Sequence, residues 1–147
     1  MTTNPEDAVA LFQEGYNCAQ SVFVACSRQY GLDRQTALRV AQAFGGGMGR
    51  TGSVCGAVTG ALMVIGFKRA ALDPKDTQAK LDAHQLAREF LAAFKDRHES
   101  LLCRELLGAD MSTPEGLKQV QEKGLHQSVC QPLLRSAAEI IEKVLAD

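Results

Sequence analysis

Five of the eight residues from Gly45 to Gly52 are glycine, in the order Gly45-Gly46-Gly47-Met48-Gly49-Arg50-Thr51-Gly52. Glycine loses more backbone freedom on folding than any other residue, so no regular element can run through such a stretch. It divides the chain. On both sides of it, helix signals dominate. Asn4 is placed to cap a first helix with Pro5 in its first turn, and Gly15 to stop it. Asn17 caps a second helix whose first residue is Cys18, with Val22, Phe23, Cys26 and Tyr30 at helical spacing and Gly31 as a stop. Asp33 caps a third, running to about Phe44.

Behind the glycines, Ser53 is read as the cap of a helix that extends to about Phe67. Gly56 and Gly60 lie four apart on one face of it. Gly costs about 1 kcal/mol in a helix interior, so two on one face predict that another backbone approaches there. Asp73-Pro74 is read as the start of a long helix that fades near His98, Ser100 as the cap of a short helix over 101–107, and Thr113-Pro114 as the start of another, ended by Gly124. Pro132 falls in the first turn of the last helix. Residues 108–113 are the candidate mobile segment. No stretch sustains the alternation that a half-buried strand requires. The expected fold is an all-α bundle of about six to eight helices, a single domain over residues 1–147 with the Gly-rich loop before its central helix.

Sixteen Lys and Arg against seventeen Asp and Glu leave a net charge of −1. That argues against a nucleic-acid binder, which is normally basic. The first residues hold no basic, apolar leader. The longest apolar run, Ala57 to Phe67, is about half of the roughly twenty residues that span a bilayer. A cytoplasmic protein without membrane or nucleic-acid partners is expected. Disulfides are rare in that compartment.

The five cysteines are Cys18, Cys26, Cys55, Cys103 and Cys130. An odd count and the absence of any C-x-x-C pair speak against a disulfide framework and against zinc-ribbon spacing. Four of them, Cys18, Cys55, Cys103 and Cys130, fall at or beside predicted helix starts. Unpaired amides and the positive dipole end favour an anion there and lower a thiol's pKa. If the fold gathers those starts, it makes a site of four thiolates. Cys26 is eight residues along one helix from Cys18, roughly 12 Å at 1.5 Å per residue. Two thiolates on one zinc lie within about 4 Å of each other, so Cys26 reads as a buried apolar residue. The loop carries no Walker Lys-Ser/Thr and sits between helices, so it is no nucleotide cradle. Its bare amides, at Gly46, Gly47 and Gly49, with Gly56 of the next helix, are candidates to face sulfur. Arg50 and Arg104 are close enough in sequence to offset thiolate charge. His84, His98 and His126 share no metal-binding spacing.

Read together, Gly15-Tyr16-Asn17-Cys18-Ala19-Gln20, Phe44-Gly45-Gly46-Gly47-Met48-Gly49, Cys55-Gly56-Ala57-Val58-Thr59-Gly60, Cys103-Arg104-Glu105-Leu106-Leu107-Gly108 and Cys130 resemble, in order, the C_GCAxxG_C_C family of redox-active proteins. The resemblance implies a small helical protein whose four signature cysteines serve electron transfer or metal handling, with an oxidoreductase or transporter-associated redox partner. It points to an iron–sulfur cluster at Cys18, Cys55, Cys103 and Cys130. No C-x-x-C-H is present, so no covalent haem is expected. Cys26 lies outside the signature.

Four readings follow from these residues. The first is an iron–sulfur electron-transfer protein, which all-thiolate ligation suits. The second is metal-free dithiol chemistry, with the same four cysteines as the redox-active set. The third is a zinc-binding or metal-handling module that holds its ion by four thiolates. The fourth is a scaffold with buried cysteines. A redox carrier or metal-binding protein is favoured over an enzyme with its own substrate, and a homodimer is expected.

Overall fold

The computed structural model describes residues 3–146, so the first two residues of the leader reading lie outside it. Among the described residues there are eight α-helices and no strand beyond an isolated bridge. They are α1 Asn4–Gln13, α2 Cys18–Ser27, α3 Arg34–Ala41, α4 Gly56–Arg69, α5 Thr77–His98, α6 Cys103–Leu107, α7 Pro114–Glu122 and α8 Gln131–Val144. The all-α expectation holds. No helix among the described residues is long and apolar enough to cross a membrane.

The centre of the fold is the crossing of α2 and α4. Every residue of α2 from Ala19 to Ser27 is buried. Its serines tolerate this because the Ser21 and Ser27 hydroxyls donate to the carbonyls of Asn17 and Phe23, one turn back. Gly56 and Gly60 form the contact face of α4. A Cβ on Gly56 would stand 2.8 Å from the Ala19 amide nitrogen, and one on Gly60 2.8 Å from the Ala19 carbonyl oxygen. This is the backbone approach that the glycine spacing predicts. Phe90 and Phe94 of α5 close the core from one side, and Leu134, Ala137, Ala138 and Ile141 of α8 from another.

Several helix starts differ from the sequence reading, each for a physical reason. Thr3, not Asn4, caps α1, because its side chain and Glu6 form a reciprocal capping box. Asp76 caps α5, while Asp73 accepts the Lys75 amide in a preceding turn. Ser53 does not cap α4, and Ser100 does not cap α6. Residues 52–55 and 101–104 instead pair across the chain at Val54 and Leu102, which moves the caps to Cys55 and Leu102. Segment 108–113 is tied down: Asp110 Oδ1 accepts the Ser112 amide and hydroxyl, and Ala109 and Met111 are buried.

The Gly-rich stretch is a left-handed turn. Gly46, Gly47, Met48, Gly49 and Arg50 have φ of 65°, 72°, 68°, 66° and 61°. A left-handed helical conformation costs an L-residue roughly 1–2 kcal/mol. Glycine occupies three of the five places, and Met48 and Arg50 carry strain. The turn is closed by Ser53 N–H to Gly47 O at 2.8 Å and Gly52 N–H to Gly46 O at 3.1 Å.

Candidate functional site

Local backbone devices position each of the four cysteines. Asn17 Oδ1 accepts the Gln20 amide at 2.9 Å and Gln20 Oε1 accepts the Asn17 amide at 3.1 Å, which fixes the first turn of α2 and Cys18 as its first residue. Gly56 brings α4 against that turn, where a Cβ would lie 2.9 Å from Cys18 Cβ. The Val54–Leu102 bridge places the next two. Cys55 N–H donates to Leu101 O at 2.8 Å, and Cys103 N–H to Ser53 O at 2.6 Å. In that register Cys55 and Cys103 are diagonal neighbours on one face, opposite to the face of Val54 and Leu102. The left-handed turn covers this pair: a Cβ on Gly47 would sit 2.6 Å from Cys103 Cβ. Cys130 ends a single π turn, His126–Cys130, that runs directly into α8.

The result is one cleft of about 940 Å³ onto which Cys18, Cys55, Cys103 and Cys130 all open, together with Gly46, Gly47, Gly49, Gly56, Arg50 and His126. Cys26 is elsewhere, fully buried in the helical core. The charges of Cys55, Cys103 and Cys130 all reach Cys18, and that of Cys130 reaches Cys55 and Cys103 as well.

Their acidities do not follow the helix-start argument. Burial pushes Cys55 up to about 12 and Cys103 up to about 11, against an ordinary value of 9.0. At Cys55 the amides of Ala57 and Val58 pull the other way without winning. Desolvation of a thiolate here outweighs a dipole worth about 0.3–1 kcal/mol. Cys130 alone is lowered, to about 6, and it does not stand at an open helix start. The neighbouring Cys18 thiol is the largest influence, and the His126 imidazole beside it favours the thiolate by its proximity and charge. The same pairing drives Cys18 well above its ordinary value, and Cys130 raises His126.

His126 is the residue that the sequence reading passed over. Its Nδ1 is buried with no hydrogen-bond partner, and its ring meets Phe12 edge-on at 5.6 Å between centroids. The four-residue interval from His126 to Cys130 was the available signal. Two other expectations change. The Gly49 amide donates within the turn, to Gly45 O, so it is not turned toward sulfur. The amides that serve a cysteine belong to Ala57 and Val58. Arg104 Nη1 donates to Gly52 O at 3.3 Å and braces the loop, whereas Arg50 lines the cleft.

Among the described residues, no three Cys, His, Asp or Glu side chains are arranged to hold a single metal ion. The arrangement offers no ready tetrahedral site for zinc. It offers four free thiols around one shared space, with Cys18 and Cys130 the most strongly interacting pair.

No curated protein and no solved structure matches the chain. The family model described as "putative redox-active protein (C_GCAxxG_C_C)" matches residues 16–144, a span that takes in all four cleft cysteines and the left-handed turn. The chain belongs to the C_GCAxxG_C_C family.

Proposed function

We propose that this is a thiol redox protein in which Cys130 and Cys18 interchange between dithiol and disulfide. One observation carries the reading: Cys18 and Cys130 open onto the same cleft, and each is the largest influence on the other's acidity. Disulfide exchange requires an attacking thiolate and a second thiol within reach. Cys130, whose acidity Cys18 and His126 both strengthen, is the thiolate. Cys18 is the resolving thiol. Oxidation of this thiolate–thiol pair removes two electrons and the one proton on Cys18 and forms one S–S bond. A partner disulfide accepts both electrons by exchange. The test is a thiol count on reduced protein before and after mild oxidation, with the crosslink mapped by peptide mass spectrometry. Loss of two thiols, mapped to Cys18–Cys130 and abolished in Cys130→Ser, is expected. An unchanged count overturns the reading.

A second reading rests on a different observation. The four cysteines interact around one cleft, and the bare Cα positions of Gly47 and Gly56 lie where a Cβ would crowd Cys103 and Cys18. Four thiolates in such a cradle suit an iron–sulfur cluster, with Cys18, Cys55, Cys103 and Cys130 as its ligands. When bound, the cluster would supply one-electron transfer. Anaerobic purification with a visible spectrum and iron and sulfide analysis tests it. Iron with sulfide in the wild type and neither in Cys55→Ser supports it; no iron in either overturns it.

A further inference from the structure

Among the described residues, no acidic side chain lines the cysteine cleft. Asp110, whose charge reaches Cys103, is held by the Ser112 amide and hydroxyl. Arg50 is the one lining residue of fixed charge. Its guanidinium is exposed and has no hydrogen-bond or ion-pair partner among the described residues, unlike Arg28, Arg34 and Arg97, which pair with Asp7, Glu14 and Glu139. Its backbone is held at φ 61° within the left-handed turn. Strain of this kind persists only where the surroundings enforce it, and it gathers at ligand sites. Apart from the Cys130 thiolate and His126, the rest of the polar lining is neutral: the rim amides of Gln13, Gln42, Gln121 and Gln127 are exposed and have no side-chain partner among the described residues. A lone unpaired guanidinium in a cleft without carboxylates selects an anion, and a carboxylate matches its two-pronged geometry.

We infer that the cleft takes a low-molecular-weight disulfide bearing a carboxylate, with Arg50 as the carboxylate anchor beside the Cys18–Cys130 pair. The inference rests on the thiol-exchange reading above. The Cys130 thiolate attacks one sulfur of the small disulfide, whose S–S bond breaks and releases one small thiolate. The Cys18 thiol gives up its proton and attacks the Cys130 sulfur of the mixed disulfide, releasing the second. The protein pair ends oxidised and the small disulfide ends as two thiols, so electrons balance.

The experiment uses reduced full-length protein without oxygen. It measures the rate at which the Cys18–Cys130 crosslink forms with dithiodipropionate, with hydroxyethyl disulfide and with cystamine, which carry negative, zero and positive charge. Each rate is divided by that of the same disulfide with a reference thiol. Dithiodipropionate is expected to exceed cystamine by roughly tenfold at low salt, a modest steering effect for one charge, and the ratio should shrink in concentrated salt. Arg50→Gln should bring the ratio to about one, and Arg50→Lys should retain most of it. A wild-type ratio near one, or the same ratio in Arg50→Gln, overturns the anchor while leaving thiol exchange standing. Failure of all three disulfides to form the crosslink overturns thiol exchange and the anchor with it.

Discussion

His126 and Cys130 stand at opposite ends of one π turn, and the imidazole's proximity and charge favour the Cys130 thiolate. The Cys18 thiol reaches the same sulfur from the start of α2 and is the stronger of the two influences. Both contacts favour the charged form, so Cys130 ionises near pH 6 while the other cleft thiols stay protonated.

Alkylation of reduced, metal-free protein reads this directly. Cys130 should reach half its limiting rate near pH 6, and Cys55 and Cys103 should remain slow at pH 9. Cys18→Ala should move the Cys130 midpoint upward by more than His126→Gln does. A common midpoint near 9 for all four would contradict the arrangement.

Burial holds Cys26 and Cys55 near 12 and Cys103 near 11. A raised thiol pKa means that the unfolded chain ionises first. Stability is therefore intact below about 9 and falls as pH climbs toward 11–12. Each such thiol costs up to about 1.4 kcal/mol per pH unit in that window. Cys130 has the opposite sign: its contribution is present above about 9 and is lost as pH falls through about 6. Urea midpoints under reducing conditions should drop between pH 8.5 and 10.5. The drop should be shallower in Cys26→Ala, which removes one of the raised thiols from the core.

Gly56→Ala and Gly60→Ala should each destabilise by about 1–3 kcal/mol, because each new Cβ meets the Ala19 backbone at 2.8 Å and not a side chain that can turn away. Gly66 lies on the same helix with nothing within 4 Å of its Cβ position. Gly66→Ala should stabilise by about 0.5–1 kcal/mol through helix propensity. Chemical denaturation of the three variants separates contact from propensity; equal effects would refute the close crossing.

Much of this was legible in local sequence. Asn17 with Gln20 three residues on declares a reciprocal cap, and Cys18 follows from it. Gly56 and Gly60 declare a helix face that something must approach. Positions fixed by distant partners were not legible. Ser53 and Ser100 look like caps, but their strands of chain pair with each other across a third of the sequence, and the helices start at Gly56 and Cys103 instead. The thiol acidities depend on burial, which no local pattern reports, so the helix-start argument erred for Cys55 and Cys103. His126 was readable from its interval to Cys130 and was set aside because it made no metal-ligand pair.

The Cys18–Cys130 pair links the start of α2 to the start of α8. In the unfolded chain those two sulfurs are the ends of a loop of more than a hundred residues, whose closure would cost about 4–5 kcal/mol of chain entropy. Only the assembled core brings them together. A crosslink there would clasp the first and last thirds of the protein, and oxidation would make the folded form harder to open. By reciprocity, anything that loosens the core makes the pair easier to reduce, so its midpoint potential is also a gauge of structural integrity.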